Sequence, residues 1–293
     1  SILGTLLVGF VLLGTVGCER TLQLLTAIGA LLGAVAAWRA LTDNARLRRI
    51  AVTAGVAVAI STVLLAPGRG ELLRATHLAD FPVVQFQVRE DTSGVVALRR
   101  QDQVIAFSEE SKILGVSKLH IDGAAHGRGD DGSGREWSTA IALVAAPAGA
   151  RVLSIGLGDG VMCDSVLADP TVEELVIVEL NGELLELLRS TPRGSLIASS
   201  PKVRYINDDG RRWLNANPNE KFDFIMTFPL HPAHAGYGNL FSLEFFALVA
   251  RHLEPDGAFF ARSTDPFSTA RTLAEAFPFV LRLDQSGYVA KTR

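Results

Sequence analysis

Cysteine is almost absent from this chain of 293 residues: Cys18 and Cys163 are the only two, far apart and in unlike surroundings. That is too few for a disulfide framework, and both are expected to be free thiols. Charge is also scarce, with 20% of residues charged against 48% hydrophobic. So apolar a chain is not disordered in the main. Before residue 67 there is no lysine, and one Glu and one Asp stand against five Arg, for a net charge of +3; the remainder carries −6. An acidic body lacks the basic face that a phosphate backbone requires, which excludes nucleic acid as the main partner.

What is abundant is apolar sequence, and it is concentrated at the front. Residues 2–17, 21–38 and 50–66 are three runs without charge, of 16, 18 and 17 residues. A bilayer core of about 30 Å needs roughly 20 helical residues, with about 17 as the lower limit. Each run is marginal alone, but three in succession with no polar face read as transmembrane helices rather than a cleaved leader or a buried bundle. Gly29-x-x-x-Gly33 permits close helix contact in a membrane. The start at Ser1, directly into apolar sequence, leads us to expect preceding residues and a larger membrane domain. Arg39, Arg46, Arg48 and Arg49 between the second and third runs place that connection in the cytoplasm by the positive-inside rule, and the body on the other face.

Beyond residue 67 we expect a linker and small β domain to residue 135, then an α/β domain over 136–293. Residues 83–88, 95–98, 103–107 and 118–121 read as short antiparallel strands, and 126–134 as a Gly-rich loop. From residue 150 apolar strands alternate with helices: strands at 151–155, 174–178, 203–206, 222–227 and 257–261, with two closing strands near 279–283 and 287–291. Helices are expected at 161–167, 183–189, from 211, at 242–253 with Ser242 as N-cap, and at 268–276. Such alternation predicts a parallel doubly wound sheet, with ligands at the carboxyl ends of its strands. The suggestive residues fall at those ends. Gly156, Gly158 and Gly160 form a Gly-rich turn after the first strand, around Asp159. Glu179 ends the second strand, where a carboxylate can accept both hydroxyls of a ribose. Asp208 and Asp209 end the third, where Asp209 can accept an adenine amino group. Together they describe an adenosine site.

The segments VLSIGLGDG, ELVIVELN, INDDG, KFDFIM and NLFSLEFFALVARHLEPDG carry a resemblance to the spermidine synthase (polyamine aminopropyltransferase) family. It covers most of residues 80–265, and the apolar front resembles family members fused to a membrane domain. The resemblance implies a Rossmann-like, seven-stranded methyltransferase-type sheet after a small antiparallel β region. It implies decarboxylated S-adenosylmethionine or S-adenosylmethionine as substrate, methylthioadenosine as product, no metal, and a homodimer as a compatible state. Asp159 would hold the aminopropyl ammonium, Glu179 the ribose and Asp209 the adenine. The lipid bilayer and a small sulfonium nucleoside are then the partners. Because such nucleosides are made in the cytosol, the body of this multi-pass cell-membrane protein is assigned to the cytoplasm, against the arginine signal.

The chain departs from the family after the fourth strand. Where the family has an Asp-Ser-Ser-Asp-Pro-like segment, this chain reads Phe228-Pro229-Leu230-His231-Pro232. The acids that deprotonate and hold a polyamine are replaced by Phe228 and His231. Trp137-Ser138-Thr139 replaces a Tyr-His-Glu-like element, and Asn181 stands for an Asp. Three readings follow. In the first, the arm's own amine closes on the carbon beside sulfur, giving an azetidine and methylthioadenosine, with Asp159 orienting the amine and His231 or His234 as base. In the second, the chain transfers an aminopropyl or methyl group to another acceptor. In the third, it senses adenosyl compounds without catalysis. His231-x-x-His234 lacks a third ligand, so a metal site is not expected.

Overall fold

The computed structural model describes residues 2–65, 71–77, 85–91, 93–107, 110–121, 124–128, 139, 143, 146–227, 237–263, 265–283 and 287–293. The chain forms two compact units: residues 1–81 with 90–94, and residues 82–89 with 95–293.

In the first unit the opening run is α1 (Ile2–Leu6), a π-helical stretch (Leu7–Leu12) and α2 (Leu13–Val16). Gly17, at φ 87°, breaks it, and the Cys18 N–H that starts the next helix donates to Glu90 Oε2 at 3.0 Å. α3 (Cys18–Ala40), α4 (Ala45–Leu64) and α5 (Glu71–His77) follow. Asn44 caps α4 by accepting the Leu47 N–H at 3.0 Å. Among the described residues two helices, α3 and α4, are long and apolar enough to cross a membrane, and they fall on the second and third of the three apolar runs. Leu32, Trp38, Val63 and Leu64 present apolar side chains outward. The close contact between α3 and α4 does not use Gly29 and Gly33, whose faces are open. It uses Gly55, where a Cβ would stand 2.9 Å from Ala30 O and from the Ala34 Cβ.

A first sheet follows in the order β1 (Gln85–Asp91), β2 (Gly94–Phe107), β3 (Glu110–Ile121), β4 (Ala124–Arg128), most of it in the second unit. The short strands expected at 95–98 and 103–107 are one strand, paired with β3 from Val96↔Ile121 to Phe107↔Glu110. The polar stretch Arg99-Arg100-Gln101-Asp102 interrupts the apolar pattern but not the backbone ladder. β4 likewise extends into the stretch expected as loop from His126, because its pairing with β3 needs no apolar side chains.

The large sheet contains β5 (Arg151–Ile155), β6 (Glu174–Glu179), β7 (Val203–Asn207), β8 (Phe222–Thr227), β9 (Leu253–Arg262), β10 (Phe279–Arg282) and β11 (Gly287–Lys291). Their order is β10-β11-β9-β8-β5-β6-β7, and β11 alone runs against the others. The expected α/β class and seven-stranded Rossmann-like sheet are therefore observed. Alternating side chains build two cores. On one face Val152, Ile177, Met226 and Phe260 meet α6 (Val161–Leu167), α7 (Leu184–Leu188) and α8 (Pro192–Ser199). On the other, Leu153, Val176, Ile225 and Phe259 meet α9 (Gly210–Ala216), α10 (Leu243–His252) and α11 (Pro266–Ala276). Ser242 caps α10 as expected, accepting the Phe245 N–H at 3.2 Å. The helix α8 is an addition. Its signal was Thr191-Pro192: the Thr191 hydroxyl accepts the Gly194 N–H at 3.1 Å, and Pro192 fits the first turn.

The amino ends of the strands are tied by a ring of four charges. Arg151 meets Glu174 at 2.5 Å and Glu220 at 2.6 Å, and Arg204 reaches the same two acids at 3.3 and 3.5 Å. The Arg151 guanidinium also lies 4.7 Å from the centre of the Phe222 ring. Burial pushes the Glu220 carboxyl up, but the hydrogen bond and charge of Arg151, with Arg204 behind it, outweigh this and hold it below the usual carboxylate range. The native ring therefore loses stability as pH falls from the ordinary carboxylate range through the depressed native value, because the unfolded chain takes up the proton first. Arg151→Ala is expected to cost about 1–2 kcal/mol at neutral pH and to flatten this acid limb, read by denaturant unfolding at several pH values.

Candidate functional site

The turn after β5 can form because three glycines take backbone angles that side chains disfavour: Gly156 at φ 92°, Gly158 at 57° and Gly160 at 78°. At Gly160 there is also no room, since a Cβ would stand 2.8 Å from Ile197 Cδ1 and 3.3 Å from Arg193 Cδ. Below the turn the Ser154 hydroxyl donates to Gly156 O at 2.7 Å, and the Cys163 thiol lies 3.6 Å from that hydroxyl. Burial pushes Cys163 up to about 12, with Glu179, Asp159 and Asp164 adding to it against the Ser154 hydrogen bond. It is a packing residue, not a nucleophile.

Asp159 sits in this turn with 1% of its surface exposed, and its Oδ1 accepts the Val161 N–H at 3.3 Å. Glu179 closes the turn from β6. Its Oε2 accepts the Leu157 N–H at 2.7 Å and its Oε1 the Asn181 N–H at 2.9 Å. The Gly156 N–H donates to Val178 O at 2.8 Å, which stitches the two strand ends together. Gly156, Gly158, Gly160, Asp159 and Glu179 are thus brought together.

The third strand end is arranged differently. The Asp208 carboxylate is held by Arg212, 2.6 Å from its Nε and 2.5 Å from its Nη2. Asp209 caps α9 by accepting the Arg212 N–H at 2.8 Å, and stays exposed. One Asp209 oxygen serves the helix; the other has no partner among the described residues. Two residues here, Asn207 and Tyr205, escaped the sequence reading, and Asn181 was read only as a departure from the family pattern. Asn181 turns the chain into α7, its side chain accepting the Glu183 N–H at 3.0 Å. Asn207 and Tyr205, on β7, reach back to the loop after Glu179. Asn-Gly in LNG and the Asn of INDDG are turn-type residues at strand ends, and that was the available signal. Phe228, His231 and His234, like Trp137 and Ser138, lie outside the described residues. Among the described residues no His, Cys, Asp and Glu gather into a metal-binding group.

Residues 135–277 match the family model of the spermine/spermidine synthase domain. The polyamine aminopropyltransferase of Mycobacterium tuberculosis (strain H37Rv) is 36% identical over 140 residues, which are 45% of this chain and 26% of that protein. Polyamine aminopropyltransferase 2 of Streptomyces coelicolor is 30% identical over 269 residues, 88% of this chain and 46% of that protein. The chain thus spans less than half the length of these curated relatives. A spermidine synthase crystallised with the transition state analogue AdoDATO superposes with a TM-score of 0.58 at 22% identity, covering 72% of this chain and 74% of its own. The spermidine synthase of Thermotoga maritima gives 0.57 at 21%, covering 72% and 73%. Those two likenesses speak for the fold. With the family model and the curated relatives beside them, residues 135–277 are a spermidine synthase-like domain.

Proposed function

We propose that the chain is a membrane-attached, spermidine synthase-like enzyme that binds a sulfonium nucleoside and releases 5′-methylthioadenosine. The observation that carries this reading is the pair of buried acids on one glycine turn, Asp159 and Glu179, the latter fixed by two backbone N–H groups. Glu179 would take the ribose hydroxyls and the outer oxygen of Asp209 the adenine amino group. Gly156, Gly158 and Gly160 let the nucleoside approach the backbone, and the Asp208–Arg212 pair steadies the loop beneath it. Asp159 would hold the arm's ammonium. A negative group there repels the carboxylate of intact S-adenosylmethionine, so decarboxylated S-adenosylmethionine is the preferred ligand and methyl transfer is disfavoured.

The sequence after β8 bears on the acceptor. Phe228-Pro229-Leu230-His231-Pro232 offers no carboxylate to hold or deprotonate a polyamine. The reaction that needs no acceptor is closure of the arm on itself. The neutral amine attacks the carbon bonded to sulfur, the C–S electron pair returns to sulfur, and methylthioadenosine leaves as a neutral thioether. The proton that the arm's ammonium must lose before attack goes to a base, for which His231 or His234 is the candidate in sequence, and the ring leaves as the azetidinium. Transfer to an unidentified acceptor and ligand binding without turnover are the other outcomes of the test. Incubation with decarboxylated or intact S-adenosylmethionine, without amine, is expected to give methylthioadenosine and an azetidine in equal amounts by mass spectrometry. Putrescine should not accelerate release; a saturable increase with spermidine as product would replace cyclisation by ordinary transfer.

α3 and α4 would anchor the enzyme in the cell membrane. Their apolar side chains face outward, which suits lipid better than the core of a soluble protein. The source of the substrate places the body in the cytosol, whereas Arg39, Arg46, Arg48 and Arg49 favour the opposite orientation.

A further inference from the structure

The loop that carries Glu179 is gripped from the neighbouring strand at three successive carbonyls. Asn207 Nδ2 donates to Glu179 O at 3.1 Å and to Leu180 O at 2.9 Å. The Tyr205 hydroxyl donates to Asn181 O at 3.2 Å. The Asp208 N–H adds a second bond to Glu179 O at 3.0 Å. Glu179 and Asn207 are ladder partners at the carboxyl ends of β6 and β7, where regular sheet pairing stops. Past that point the backbone would be free to turn in several ways, and the direction of the Glu179 side chain would vary with it. The side-chain donors of β7 extend the ladder by two residues, to Leu180 and Asn181. The amide of Asn207 must present nitrogen to these carbonyls, since its oxygen would face two acceptors. Gly182 completes the fit: a Cβ there would stand 2.9 Å from Asn207 Oδ1 and 3.1 Å from its Cγ.

We propose that Asn207, with Tyr205, is a positioning clamp that fixes Glu179 for ribose binding, and that Gly182 is required because it leaves the Asn207 amide room. The inference rests on the nucleoside reading of Glu179 given above. The clamp touches no ligand; it acts through the backbone that aims the carboxylate, and preorganisation of that kind appears as affinity.

The test uses the full chain in detergent and calorimetric titration with methylthioadenosine, at a temperature where circular dichroism shows every variant folded. Asn207→Asp, which keeps the shape but sets oxygen against two carbonyls, is expected to raise Kd about tenfold or more. Gly182→Ala, which alters no hydrogen-bonding group, should do the same by displacing the amide. Tyr205→Phe, losing one neutral bond, should cost about threefold. In a Glu179→Gln background the Asn207→Asp effect should shrink to less than about threefold, because the two residues act on one interaction. Normal Kd in folded Asn207→Asp and Gly182→Ala proteins would leave these residues structural and overturn the clamp. An undiminished effect in the Glu179→Gln background would overturn it too, since Asn207 would then act by another route. Failure of the wild-type protein itself to bind would sink the nucleoside reading and the clamp together, and that result is distinct from the other two.

Discussion

Replacing Glu179 by alanine is expected to abolish the rise in melting temperature that methylthioadenosine gives the wild-type protein. Hydrogen bonds to a charged group contribute about 1.5–3 kcal/mol each, and a ribose offers two hydroxyls to this carboxylate. The loss is therefore worth about 3 kcal/mol or more, on the order of a hundredfold in affinity. The same substitution leaves the Leu157 and Asn181 N–H groups without their acceptor. The ligand-free protein should then melt lower as well, so the quantity to follow is the difference with and without ligand. Glu179→Gln, which keeps one acceptor oxygen, should retain part of the difference. An unchanged ligand-induced shift in Glu179→Ala would remove the adenosine site from this strand end.

The second large effect concerns Asp159 and has the opposite signature. Methylthioadenosine has lost the aminopropyl arm, so a residue that meets only the arm should matter little to its binding. Asp159→Asn is expected to change the Kd for methylthioadenosine less than about threefold while lowering turnover at least about a hundredfold. The reacting amine must be neutral, so the wild-type rate should climb with pH until the amine has titrated. Product release measured across pH, beside calorimetry on the same preparations, separates the two quantities. Equal losses in binding and turnover would make Asp159 a structural part of the glycine turn. Unchanged turnover would move the arm elsewhere.

Much of the large sheet was readable because its strands are buried on both faces. The runs 151–155 and 222–227 were placed to the residue, since each is a mostly apolar stretch of strand length, with Ser154 and Asp223 as the interior polar residues. The small sheet was read less well, because β2 carries Arg99 to Asp102 in mid-strand and its ladder does not depend on apolar side chains. At the site the turn glycines, Asp159 and Glu179 were legible from their positions at strand ends. Asn207 and Tyr205 were not, because what they hold is backbone, and a bond to a carbonyl leaves no mark in the sequence of its partner. Asp208 looked like a ligand acid and is paired with Arg212, a contact one helical turn away that the residue type alone does not announce.

The charge ring of Arg151, Glu174, Arg204 and Glu220 lies at the amino ends of the strands, and the acids of the candidate site at the carboxyl ends. The ion pairs that tie the sheet and the candidate acids thus sit at opposite rims. Substitutions at the carboxyl rim that spare the Glu179 bonds to the Leu157 and Asn181 N–H groups leave the charge ring untouched. On the proposed reading, a chain with Phe228 and His231 where a polyamine would need acids can then keep the same sheet. Such a scaffold can hold its nucleoside grip while the group that the nucleoside reacts with changes.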